Sequence, residues 1–134
     1  MIELLVVTVL LTILLVIALP MFLGQKGKGQ DAAAKANARN ALTQVEACFA
    51  SERDYRKCVT PGVLSGTGIP TTGPNAVSVT GSETTYRVVA ASRSEDGAQS
   101  FVIEKDAGGS LARTCALADR GGCSSETDAS GNRW

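Results

Sequence analysis

The chain contains no histidine. That removes the usual general base near neutral pH, the triads built on it and the commonest metal ligand. Four cysteines stand at 48, 58, 115 and 123. None is at C-x-x-C spacing, so neither a zinc knuckle nor thioredoxin-type exchange is indicated. The glycine-rich GTGIPTTG, Gly66 to Gly73, has no lysine after its glycines and follows no strand, so it does not read as a phosphate loop. Asp119, Glu126 and Asp128 could approach a calcium ion, but their spacing is not that of an EF-hand loop and a solvated tail is the simpler reading. Arg53, Arg56 and Lys57 form the only basic cluster, with Asp54 among them, and the formal net charge is zero. Long-range attraction to nucleic acid is therefore not expected. No catalytic residue, metal site or cofactor is expected, and an enzyme is the reading these residues support least.

Two chemistries are left. One is oxidation of the cysteines. An even number, all beyond the apolar N-terminal run, suits a disulfide-stapled exported domain. Four cysteines allow three connectivities; proximity favours Cys48–Cys58 and Cys115–Cys123, which close the shortest rings. The other is the lone carboxylate of Glu3. It stands at the head of an uncharged run from Leu4 to Leu23. An acid there is costly unless it lies at an interface or finds a cation. No lysine or arginine precedes Lys26, so if Glu3 does not lie at the membrane surface a free amino terminus of a neighbouring chain would serve.

The element carrying Glu3 is apolar on every side. At about 1.5 Å per residue the run would make a helix about 30 Å long, the thickness of a bilayer's hydrocarbon core. Such a helix must be surrounded by lipid or by other apolar helices. A cleaved secretory signal is disfavoured by the negative early charge, the length of the run and the poor cleavage site after Pro20. Pro20 removes an N–H and clashes with the carbonyl of Val16. Gly24, Gly27 and Gly29 follow within GQKGKG, each weakening a helix by about 1 kcal/mol relative to alanine. The stretch from Pro20 to Gly29 is thus expected to be bent or melted. Helix signals resume at Asp31 and run to about Arg53. Ala38, Leu42, Val45 and Phe49, with Ala41 and Cys48 beside them, make a stripe that should face a sheet. Lys35, Arg39, Gln44, Glu46 and Glu52 fall largely elsewhere.

Residues 54–75 are dense in turn signals and too long for a simple connector, so they read as either functional surface or a packed irregular lobe. From Ala76 the period is two, giving strands in AVSVT, TTYRVVAAS, QSFVIEKD and SLARTCAL joined by hairpin-type connectors. Tyr86, Val88 and Ala90, then Phe101 and Ile103, should face the helix stripe, with Val89 and Val102 opposite. The fold class is α+β, a long N-terminal helix packed on a four-stranded antiparallel sheet. Residues 1–30 form the apolar helix with its glycine/proline segment. Residues 31–134 form a head made of the amphipathic helix half 31–53, the loop 54–75, the sheet 76–117 and a disulfide-closed tail 118–134. Trp134 reads as a packing cap.

I-E-L-L-V-V, a bulky apolar run and then I-A-L-P resemble the mature N-terminus of a type IV pilin. Glu3 and Pro20 match the family's glutamate and proline in position and separation. Met1 stands in the third place of the family's mature start, so two residues and a basic leader are expected ahead of it. The resemblance implies the pilin fold and a structural subunit of an extracellular filament. It implies processing by a prepilin peptidase, N-methylation, residence in the inner membrane before assembly, and export by a pilus machine. In that setting Glu3 sets register by pairing with a neighbour's amino terminus. Leu4, Leu5, Val7, Leu11, Leu14, Leu15 and Ile17 pack the filament core among copies of the same chain. The resemblance also mildly supports a disulfide that staples the C-terminal segment to the sheet. Three other readings are open: a pseudopilin of a type II secretion system, a DNA-binding competence pilin, and a single-pass anchored domain that never polymerises.

Overall fold

The computed structural model describes the chain apart from Glu95, Asp96, Ser130 and Gly131, and apart from the placement of Leu19, Pro20, Met21, Leu23 and Gly24. One helix, α1, runs Ile2–Glu52. It ends where Arg53 turns left-handed (φ 54°) and donates its N–H to Phe49 O at 2.9 Å. Pro20 and Gly24 lie outside the described residues. Gly27 and Gly29 do not melt the helix as expected: both lie within α1. The alanine-rich stretch that follows is already nucleated by its packing on the sheet, and extending an existing helix is far easier than starting one.

Two single-turn helices follow in what read as irregular loop, α2 (Tyr55–Cys58) and α3 (Pro61–Leu64). Asp54 caps α2 by accepting the Arg56 N–H at 3.0 Å, and proline occupies the first turn of α3, where a missing N–H costs nothing. Four strands come next, β1 (Val77–Gly81), β2 (Tyr86–Ala91), β3 (Ser100–Lys105) and β4 (Leu111–Cys115). They form one antiparallel sheet in the order β1-β2-β3-β4. The register pairs Val88 with Ile103 and Ala90 with Phe101. Side chains alternate across a strand, so Tyr86, Val88, Ala90, Phe101 and Ile103 share the face that meets α1, and all are buried. Val102 lies on the other face.

The helix contributes Ala34, Ala38, Ala41 and Val45, each fully buried, with Leu42, Cys48 and Phe49 at the margin. Three of these four are alanines. Small side chains bring the helix backbone close to the sheet, and the bulk of the core comes from the sheet side. Both expected disulfides are present. Cys48–Cys58 ties α2 to the end of α1, with Cα atoms 5.7 Å apart, and Cys115–Cys123 ties the tail to the end of β4 at 6.1 Å. Trp134 packs edge-on against Phe101 with centroids 5.4 Å apart and donates its indole N–H to Thr114 O at 2.7 Å.

Candidate assembly surface

Among the described residues nothing packs on the apolar half of α1. Leu4 is 73 % exposed, Leu14 63 % and Val16 71 %, and Leu5, Val7, Leu11, Leu15 and Ile17 are exposed as well. Contiguous apolar surface of this extent is uncommon on a soluble monomer and marks a surface that meets lipid or another apolar partner. The two hydroxyls in the run do not interrupt it. Thr8 Oγ1 donates to Leu5 O at 2.9 Å and Thr12 Oγ1 to Thr8 O at 2.6 Å, so both polar groups turn back onto their own helix. Glu3 is exposed in the first turn, where a carboxylate suits the positive end of the helix dipole. Among the described residues it makes no ion pair and no side-chain hydrogen bond. Glu3 and the seven apolar positions therefore occur together on one exposed helical segment. Among the described residues no helix is long and apolar enough to cross a membrane. The apolar sequence itself continues from Leu19 to Leu23, mostly outside the described residues.

Where α1 meets the head, a polar seat forms around Asp31, which is 1 % exposed. Its carboxylate accepts the Ser92 hydroxyl at 2.6 Å, the Ser94 hydroxyl, and the Gly122 N–H at 2.9 Å. One turn on, Lys35 Nζ donates to Gly122 O at 2.5 Å and lies 5.0 Å from the centre of the Phe101 ring. Burial lowers the Lys35 ammonium below its ordinary value, with Asp31 opposing that shift. A glycine-rich strap is thus held on both backbone groups of one residue. Gln99, fully buried, anchors the rest of it: its Nε2 donates to Leu117 O and Arg120 O, and its Oε1 accepts from Leu117 N at 3.0 Å.

A second cluster closes the far end of α1. Glu46 accepts from Tyr55 OH and Tyr86 OH, each at 2.9 Å, and from Lys105 Nζ at 3.2 Å. Lys105 also donates to Tyr55 OH at 2.7 Å and lies within 6 Å of the rings of Phe49, Tyr55 and Tyr86. Burial pushes the Glu46 carboxyl up, but the hydrogen bonds from Tyr86, Tyr55 and Lys105 outweigh it and hold it below its ordinary value. Burial also pushes the Tyr86 phenol well above its ordinary range, and Glu46 adds to that. The bond to Tyr55 raises Lys105, with Glu46 adding to it against burial.

Sequence reasoning missed both clusters. It took Asp31 for a first-turn acid of a new helix and placed Lys35 and Glu46 off the packing stripe. Apart from Tyr55, nine residues beyond Glu46, their partners lie from 40 to 91 residues away along the chain, where no local signal could have found them. The basic group singled out earlier is paired at the surface: Arg56 with Asp54 at 2.8 Å and Lys57 with Glu52 at 2.9 Å. Asp128 accepts from Asn132 N at 2.8 Å, and among the described residues no three metal-ligating side chains gather.

No family model, no curated protein and no solved structure matches the chain.

Proposed function

We propose that this protein is a structural subunit of a type IV pilus, polymerising through its N-terminal helix into an extracellular filament. The observation that carries the reading is the pairing of a bare, all-round apolar helix with a lone acid at its head, on a head domain whose own core is complete without it. In the inner membrane, lipid covers the helix. On assembly, neighbouring copies replace the lipid, and apolar burial supplies cohesion at about 25 cal/mol per Å². That force has no direction, so it cannot set register. Glu3 can, by pairing with the amino terminus of an adjacent copy, because an unpaired carboxylate in an apolar core is strongly unfavourable. The contacts are head-to-tail and propagate into a helix instead of closing. The membrane, a prepilin peptidase and the assembly machinery are the partners this reading implies.

The test is mass spectrometry and N-terminal sequencing of material sheared from cells. The chain should be abundant there, with an N-methylated residue ahead of Met1. A chain confined to the membrane fraction would instead indicate a pseudopilin, and one with an unprocessed start would indicate an anchored domain.

A further inference from the structure

We propose that Asp31 is a positioning residue for oxidative folding: it seats the Gly121–Gly122 strap so that Cys123 is held against Cys115 before their disulfide forms. The inference does not depend on the filament reading.

The two sulfurs are brought together by separate non-covalent structures. Cys115 is placed by the sheet, opposite Phe101 in the β3–β4 register, with Ala116 N donating to Ser100 O at 3.0 Å. Cys123 is placed by the strap. The preceding Gly122 is fixed at its N–H by Asp31 and at its carbonyl by Lys35, and Cys123 N donates to Arg120 O at 3.0 Å. Arg120 O is itself held by Gln99. None of these bonds involves sulfur, so the same seat is available to the reduced chain. The carboxylate is a strong organiser here. It is buried, so it needs all its donors, and bonds to an ionised acceptor are about twice as strong as neutral ones.

The strap's sequence is shaped to that seat. Gly121 has φ +59°, a left-handed conformation, and a Cβ built on it would overlap Asp31 Oδ2. A Cβ on Gly122 would fall 2.7 Å from Lys35 Nζ. Two adjacent glycines directly before a cysteine are what close approach of this backbone to Asp31 and Lys35 requires.

Closure needs an oxidant, and a small disulfide such as oxidised glutathione suffices. A thiolate of the pair attacks it, forming a mixed disulfide and releasing one glutathione thiolate. The second cysteine thiolate then attacks the mixed disulfide at the protein sulfur and releases the other. The protein pair gives up two electrons and two protons, and two glutathione thiols are formed. Seating Cys123 beside Cys115 raises the effective concentration of the second attack, the ring-closing step.

The experiment uses the full chain, reduced in detergent micelles and reoxidised in a glutathione buffer. Free thiols are trapped at intervals, and both disulfides are mapped by mass spectrometry. Cys48–Cys58 serves as the internal reference. In Asp31→Ala and Gly121→Ala, the rate of Cys115–Cys123 closure relative to Cys48–Cys58 should fall on the order of tenfold, the loss of one or two hydrogen bonds from the seat. Gly73→Ala, also at positive φ (+78°) but with open space around it, controls for glycine strain and should leave the ratio unchanged. If Asp31→Ala proves too unstable to form Cys48–Cys58, Gly121→Ala decides, because it leaves the helix and sheet intact. An unchanged ratio in Gly121→Ala overturns the proposal, as does an equal fall in Gly73→Ala.

Discussion

The two halves of α1 share one continuous backbone and have opposite surroundings. Ile2 to Ala18 carries most of the branched aliphatic side chains of the helix, and they are exposed. Beyond Asp31 the buried positions are mostly alanine, and they are fully covered. Burial within this chain therefore follows the presence of a partner, not hydropathy. The head has a sheet that turns its aromatic and branched residues toward the helix, so alanines suffice on the helix side. Among the described residues the N-terminal half meets no such layer, and its side chains stay exposed.

That contrast can be broken most severely at Glu3. On the filament reading, Glu3→Leu leaves a neighbour's amino terminus unpaired in an apolar core, a loss of about 3–5 kcal/mol. Filament yield should fall by a hundredfold or more, while the melting temperature of the head stays the same. Wild-type yield in sheared fractions would remove Glu3 from assembly. Next in size is the contrast between cores. Phe101→Ala should cost about 3–5 kcal/mol of head stability in urea unfolding, because the ring is fully buried between α1, β4 and Trp134. Leu14→Ala, on the exposed half, should change head stability by no more than about 0.5 kcal/mol. Similar losses from the two would mean that the N-terminal half packs on the head.

The Glu46 cluster sharpens the comparison through pH. Its carboxyl lies below the ordinary value of 4.5 in the folded chain, so the unfolded chain binds the proton first. The stability it contributes is present above 4.5 and lost as the pH falls through the folded value. Lys105 is raised above 10.5 and Tyr86 above 10.0, so their contributions are complete below those values and lost as the pH rises past them. Thermal melts should fall off at both ends, and Glu46→Gln should flatten the acid limb. An acid limb identical to wild type would show that other carboxylates govern it. A small gain is expected at Gly29, a helical position with open space where a Cβ would go. Gly29→Ala should stabilise α1 by about 0.5–1 kcal/mol, measured as helicity lost on heating. Destabilisation would mean that the helix needs glycine there for another reason.

Much of the head was legible because its signals are local. Period-two runs bounded by Gly-Ser, Asp-Gly and Gly-Gly located four strands, and the order of hairpins left little choice of topology. The inward faces followed from alternation, since Tyr86, Val88 and Ala90 cannot share a face with Val89. The disulfides were legible from ring length. Gly27 and Gly29 misled because intrinsic propensity was weighed without the neighbouring helix, which extends through them once the alanine face is packed. The single turns at Tyr55–Cys58 and Pro61–Leu64 were hidden among turn residues that also suit loops.

The sequence by itself determined that one segment is apolar all round, that a single acid heads it, and that an amphipathic helical stretch is followed, over residues 76–117, by the alternation of strands in a sheet. These are properties of composition and period, and they hold whatever the chain's tertiary path. Only the tertiary structure decided what Asp31, Lys35, Glu46 and Lys105 do. Each is an ordinary surface residue by type. Each becomes a buried or half-buried anchor because the fold gathers partners around it: Ser92, Ser94 and Gly122 at Asp31, Gly122 at Lys35, and Tyr55 and Tyr86 at Glu46, with Lys105 beside them. A buried charge is tolerable only with its donors assembled around it, and that assembly exists only in the folded head.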